Sequence, residues 1–297
     1  MKKRNIIISI AILLVLIVLI VIGNLNKSSH KDAIRLKIVT SFYPIYIMTL
    51  NITNGAENLE VSNMAENYVG CIHDYTLTTA DLKKFEDAAI FIQNGYGMEQ
   101  FIQKIVDSYP NVKMVDSSTK ITDFVQEGEE VNPHFWTSID DYILQVEAIT
   151  EGLKELDSSN SELYEQNKNT YIQKLQDLKA EYDSYEFGAN ERQVVSLNEA
   201  FSYLFKFIGV DETLIETDHE QSALSAETVR DVIEEVKNSG IKAIVIGQND
   251  DDQNANLIAS ETGAKVYRLN DAMSGDGSLD SYINTMKENL EILKIMF

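Results

Sequence analysis

From Asp140 to Tyr185 the chain has no proline and a single glycine, and its apolar residues recur by threes and fours. Ile143, Val146, Ile149, Leu153 and Leu156 form one series, and Ile172, Leu175, Leu178 and Tyr182 the next. That spacing writes an apolar stripe along a helix. Unbroken, such a helix would rise about 1.5 Å per residue and exceed a domain's width. It must therefore join two separately folded bodies or pair with a second copy. Sustained e/g charge pairing over heptads is absent, which favours the rigid connector over a coiled coil. A break is expected, if anywhere, at Asp157-Ser158-Ser159-Asn160.

On either side the chain reads as αβ units. Before the connector, Leu36–Thr40 and Leu59–Met64 read as strands, Pro44 opens a helix between them, and Thr78 with Asp81 forms a capping box for TADLKKFEDA. AAIFIQNG follows as a buried strand, then helix GMEQFIQKIVDSY and strand VKMVD. After it come strand QVVSL, helix NEAFSYLFKFIG, the extended ETLIET, helix SAETVRDVIEEVKNSG closed by Gly240, strand IKAIVIG, helix QNANLIASETG, strand AKVYRL and a last helix through IMF. LTTADLKKFEDAAIFIQNG and LSAETVRDVIEEVKNSGIKAIVIGQ share one grammar, so the halves read as structural duplicates. The expected fold is α/β: two similar lobes with central, mostly parallel sheets joined by one long helix. The expected boundaries are 1–27 for a signal or anchor, 28–139 for the first lobe, 140–186 for the linking helix and 187–297 for the second lobe.

The N-terminus predicts export. Lys2, Lys3 and Arg4 precede an apolar run from Ile6 to Ile22, broken only by Ser9 and just long enough to span a bilayer. The basic tip stays inside and the rest lies outside. With the nearest cysteine as far away as Cys71, an uncleaved anchor is favoured over cleavage near Gly23. The net charge is −22 and falls to near −26 without the basic leader, which disfavours nucleic acid and anionic lipid as partners. It is equally compatible with collecting cations and with a merely soluble acidic surface. The lone cysteine excludes an intramolecular disulfide.

Ligands of open α/β sheets bind beyond the carboxyl ends of the strands. His73 follows the second strand, His134 the fourth, Asn198-Glu199 the first strand of the second half, and Asp271 its last. Two donors from each half would meet at one point. Each has a plainer reading: a surface histidine, a helix cap at Asn198 or Glu199, a turn at Asp271. His30 lies in a polar tether, and His219 in TDHEQS is ambiguous. Spacing alone offers no compact metal motif.

HDYTLTTADLKKFEDAAIFIQNGYGME and NPHFWTSIDDYI resemble the two ligand loops of the zinc and manganese solute-binding proteins of ABC importers. Asn-Pro-His-Phe-Trp stands where Asp-Pro-His-x-Trp is usual. KIVTSFYPIYIMTLNI, the long helix, NEAFSYLFKFIGV and AIVIGQNDDDQNANLIASETGAKVYRLNDAM align in order. The resemblance implies a divalent metal held between two lobes by four ligands, with His73 and His134 matching the two histidines and Asp271 the last carboxylate. At the third position this chain has Asn198 where His or Glu is usual, with Glu199 beside it. Glu199 is the chosen ligand and requires an adjusted helix start, with Asn198 and His219 as alternatives. Such a set suits both Zn²⁺ and Mn²⁺, and the missing histidine-rich loop leans toward manganese or toward zinc taken without one.

The resulting expectation is a monomer tethered to the outer face of the membrane that passes metal to an ABC permease and its cytoplasmic ATPase, with no catalysis. The competing readings are a metal-dependent extracellular hydrolase, a thiol enzyme using Cys71 with His73, and a metal-stabilised surface adhesin. Cys71 is expected to be a small thiol packed beside the site.

Overall fold

The computed structural model describes residues 36–66, 68, 70, 72, 75–128, 130–187, 192–215 and 225–297. The apolar leader, His30, Cys71, His73 and His219 lie outside these residues. Among the described residues no helix is long and apolar enough to cross a membrane.

The first half contains β1 (Leu36–Thr40), α1 (Tyr43–Thr53), β2 (Leu59–Asn63), α2 (Thr79–Lys84), β3 (Ile90–Gln93), α3 (Ile102–Ser108) and β4 (Lys113–Asp116). Its strands lie in the order β2-β1-β3-β4. β3 runs parallel to both β1 and β4, with Ile38 opposite Ile90 and Val39 opposite Phe91. Ile38, Val39, Phe91 and Ile92 are fully buried, as strands covered on both faces must be. The capping box forms as the sequence implies: the Thr78 side chain accepts from the amide of Asp81, whose carboxylate accepts from the amide of Thr78.

The second half contains β7 (Gln193–Ser196), α6 (Ser202–Ile208), β8 (Asp211–Leu214), α7 (Ala226–Ser239), β9 (Ala243–Gly247), α8 (Gln253–Thr262), β10 (Lys265–Leu269) and α9 (Ser281–Met296). Its strand order is β10-β9-β7-β8, the same arrangement as the first sheet when each is counted from its own first strand. The two halves are thus duplicates in topology as well as in sequence grammar. Gly240 and Gly263 close α7 and α8 in the left-handed conformation, at φ 70° and 75°.

Between the sheets lie a short hairpin, β5 (Gln126–Glu127) with β6 (Glu130–Val131), and two helices, α4 (Ile139–Leu156) and α5 (Ser161–Asp183). The helical stripe does break at Asp157–Asn160, and there the chain turns back on itself. Tyr142 and Tyr171 join hydroxyls at 3.0 Å, Lys179 pairs with Asp140 at 2.7 Å, and Lys154 pairs with Glu165 at 2.7 Å. These cross-links make α4 and α5 an antiparallel pair. The turn is built on the Asp157 carboxylate, which accepts from Ser159, from Asn160 at 2.8 Å and from the Tyr164 hydroxyl at 2.6 Å. Burial opposes ionisation of Asp157, and these donors outweigh it, holding the carboxyl below its usual range.

α5 has 23 residues and rises about 34 Å. It binds both halves. Asn167 donates to the carbonyls of Ile52 and Asn54 at the end of α1, at 2.9 and 2.8 Å. Farther along, Lys174 meets Asp280 at 2.7 Å, and the Tyr182 hydroxyl donates to the Met286 carbonyl in α9 at 2.6 Å. The stacked rings of Tyr142 and Tyr282, 3.6 Å between centroids, tie α4 to α9.

Candidate metal site

β6 delivers the chain into Asn132-Pro133-His134, followed by a 3₁₀ turn at Phe135–Thr137. This loop is almost wholly enclosed, Asn132 being 0% and His134 4% exposed. Buried polar groups need partners. The Asn132 Oδ1 accepts from the His134 amide at 2.9 Å and lies 2.9 Å from His134 Nδ1. From below, Asn94 donates to the Pro133 carbonyl at 2.9 Å and accepts from Gln145 at 2.9 Å. Asn94 follows β3, and its own amide is held at 2.7 Å by the buried carboxylate of Glu99, which also takes the Gly95 amide at 3.1 Å.

The second wall follows β7. Asn198 caps the next turn, its Oδ1 accepting from the Ala200 amide at 2.9 Å while its Nδ2 donates to Asp250 at 2.8 Å. Both of these bonds stay within its own half. The helix then starts as a 3₁₀ turn, Glu199–Phe201, before α6. A 3₁₀ turn advances about 120° per residue instead of about 100°, so Glu199 stands at a tighter start than a regular helix would give it. The Glu199 Oε1 lies 3.9 Å from His134 Nε2.

Asp271 follows β10. Asn289 of α9 pins the residue before it, accepting from the Asn270 amide and donating to its carbonyl, both at 2.8 Å. The Asp271 Oδ1 accepts from the Met273 amide at 3.0 Å, across Ala272, whose φ is +59°. Burial pushes the Asp271 carboxyl above its usual range; the Met273 amide counters this and the charge of Asp250 adds to it. The Asp271 backbone reaches the histidine loop through Trp136, whose Nε1 donates to the Asp271 carbonyl at 2.7 Å. The rings of Trp136 and His134 are 5.1 Å apart.

The structure therefore brings His134 and Glu199 together and links Asp271 to them through the main chain. Among the described residues no cluster of three or more His, Cys, Asp or Glu side chains forms. Chemically, an imidazole nitrogen and a carboxylate oxygen are donors to either Zn²⁺ or Mn²⁺. A tetrahedral ion with bonds of about 2.1 Å would hold two such atoms about 3.4 Å apart. The observed pair is wider than that by about half an ångström.

Sequence reasoning assigned no role to Asn132 or Trp136. For Asn132 a signal existed: an asparagine two residues before the histidine is spaced to bond the main chain two residues on. Trp136 stands at the tryptophan of the Asp-Pro-His-x-Trp pattern, but nothing local pointed to its bond with a residue 135 positions away.

A profile of the family described as "Zinc-uptake complex component A periplasmic" matches residues 38–295. The chain is 29% identical to the high-affinity zinc uptake system protein ZnuA of Bacillus subtilis (strain 168), over 92% of this chain and 91% of that protein. It is 25% identical to the manganese-binding lipoprotein MntA of Halalkalibacterium halodurans, over 91% of each. The solved structure of the SBP FpvC from P. aeruginosa in complex with Ni²⁺ superimposes with a TM-score of 0.79 at 25% identity, covering 88% of this chain and 97% of that one. With a match that spans both sheets and the helices between them, the chain belongs to the family of the periplasmic zinc-uptake complex component A.

Proposed function

We propose that this protein captures a divalent transition metal, Zn²⁺ or Mn²⁺, outside the cytoplasmic membrane and hands it to an ABC permease driven by a cytoplasmic ATPase. The observation that carries this reading is the approach of His134 Nε2 to the Glu199 carboxylate at 3.9 Å, each from a different half of the chain. Family membership and the names of the relatives, which include zinc and manganese proteins, support it. His73 and Asp271 complete the proposed set of four, with Asn198 and His219 held in reserve. Four protein ligands leave no position for an activated water, so the reading is sequestration without catalysis. The proposed domain limits remain 1–27, 28–139, 140–186 and 187–297, with residues 6–22 tethering a monomer to the membrane.

Metal that bridges two halves stabilises the folded chain by linkage, about 2.7 kcal/mol at a hundredfold excess over Kd. The test is thermal unfolding of chelator-stripped protein with added Zn²⁺ or Mn²⁺, and elemental analysis of the purified protein, repeated for His134→Ala and Asp271→Ala. A raised melting temperature in the wild type and loss of metal in both variants are expected. An unchanged melting temperature with either metal would end the proposal.

A further inference from the structure

Asn132 makes bonds in two directions. Its carboxamide orientation is fixed by two partners with no ambiguity: the His134 amide can only donate, and the Glu199 carbonyl can only accept. The first meets Oδ1 at 2.9 Å and the second meets Nδ2 at 3.0 Å. With Oδ1 so assigned, the His134 Nδ1 that lies 2.9 Å from it must carry the ring proton. The lone pair of the neutral ring is then on Nε2, the atom nearest Glu199.

The bond to Glu199 is one of several that stitch this loop to the opposite half, the Trp136 bond to Asp271 among them. The Tyr203 hydroxyl donates to the Asn132 carbonyl at 2.8 Å, and Thr137 Oγ1 donates to the Ala200 carbonyl at 2.7 Å. Beneath them, the rings of Phe135 and Tyr203 meet edge to face at 5.2 Å, both buried. None of these contacts involves a metal.

We propose that Asn132 is a positioning residue for metal capture: one carboxamide sets the tautomer of His134 and ties its loop to the main chain of Glu199, so this half of the site is assembled before metal arrives. The inference rests on the metal-capture reading and adds an order of events. His134 and Glu199 form the fixed side. A carboxamide, unlike a carboxylate, orients the ring without adding negative charge beside it.

The test uses the full-length, chelator-treated protein labelled with ¹⁵N-histidine, at about pH 8, above the reference histidine pKa of about 6.5. The ring nitrogen shifts of His134, assigned by their loss in His134→Gln, report the tautomer. Protonation at Nδ1 is expected in the wild type, loss of that preference in Asn132→Ala, and its retention in Asn132→Asp, which keeps the acceptor. Affinity for Zn²⁺ and Mn²⁺, measured by competition with a chelating dye, should fall about 10- to 100-fold in Asn132→Ala. A wild-type His134 protonated at Nε2 would overturn the proposal even if the alanine variant fails to fold. Unchanged affinity in Asn132→Ala beside a metal-binding wild type would overturn it alone; a wild type that binds no metal would remove the metal reading with it.

Discussion

Gly152 of α4 lies so close to Val115 of β4 that a Cβ on the glycine would stand 2.7 and 2.9 Å from the two valine methyl groups. This explains the one glycine in a run otherwise built for helix. Gly152→Ala gains up to about 1 kcal/mol of helix propensity but forces α4 off the first sheet, a repacking that costs about 1–3 kcal/mol. We expect net destabilisation in urea unfolding. An alanine variant more stable than wild type would show that the helix can shift freely.

Glu99 gives stability a pH dependence. Burial pushes its carboxyl from 4.5 up to about 7, against the pull of the Asn94 and Gly95 amides and with the charge of Asp116 adding to the rise. Between those values the folded chain keeps a proton that the unfolded chain has released, so this contribution is complete below about pH 4.5 and is lost as pH rises toward 7. The loss is about 3 kcal/mol. Glu99→Gln does not titrate, so metal-free variant should gain on wild type by roughly that amount across the window. Parallel stability profiles for the two proteins would refute the assignment.

Asp157 has the opposite sign. Its folded carboxyl lies below the usual range, so its contribution is present at neutral pH and disappears as acid protonates it. Asp157→Ala strips the acceptor from Ser159, Asn160 and Tyr164 and should cost about 1–3 kcal/mol near pH 7. The penalty should shrink as pH falls through that lowered value. The antiparallel helix pair itself should survive, because Tyr142–Tyr171 and Lys179–Asp140 hold it elsewhere. Unaltered far-ultraviolet circular dichroism would accompany that result.

Ala272 sits beside Asp271 with φ at +59° and is 4% exposed. A non-glycine residue there carries about 1–3 kcal/mol of strain. Ala272→Gly relieves it, offset by up to about 1 kcal/mol of added freedom in the unfolded chain, so the variant should be no less stable than wild type. Ala272→Val should lose more than about 2 kcal/mol, from a β-branched side chain in that conformation and from crowding. Equal stabilities for the glycine and valine variants would contradict this account.

What the sequence made legible was local. The Thr78–Asp81 box, the glycines closing α7 and α8, and the buried strands each depend on neighbours within a few residues, and each formed as expected. The break at Asp157 was visible from composition, but the reversal was not, because it is enforced by pairs such as Tyr142–Tyr171, 29 residues apart. The choice between Asn198 and Glu199 as a donor rested on helix phase. In the structure the Asn198 oxygen takes the local cap that the sequence offered, and its nitrogen goes to Asp250, 52 residues away, which the sequence did not show. Asn132 shows both limits at once: its turn with His134 spans two residues, while its bond to Glu199 spans 67.

Trp136 is the only tryptophan in the chain, fully buried, bonded to Asp271 and set against the His134 ring. Light absorbed at the red edge of the protein spectrum is therefore emitted from one place, between the histidine loop and the last carboxylate. The protein carries a native chromophore at its candidate site. An open-shell ion such as Mn²⁺ arriving there would dim that emission by a route closed to d¹⁰ zinc, so the two cargoes leave different optical signatures without any added label.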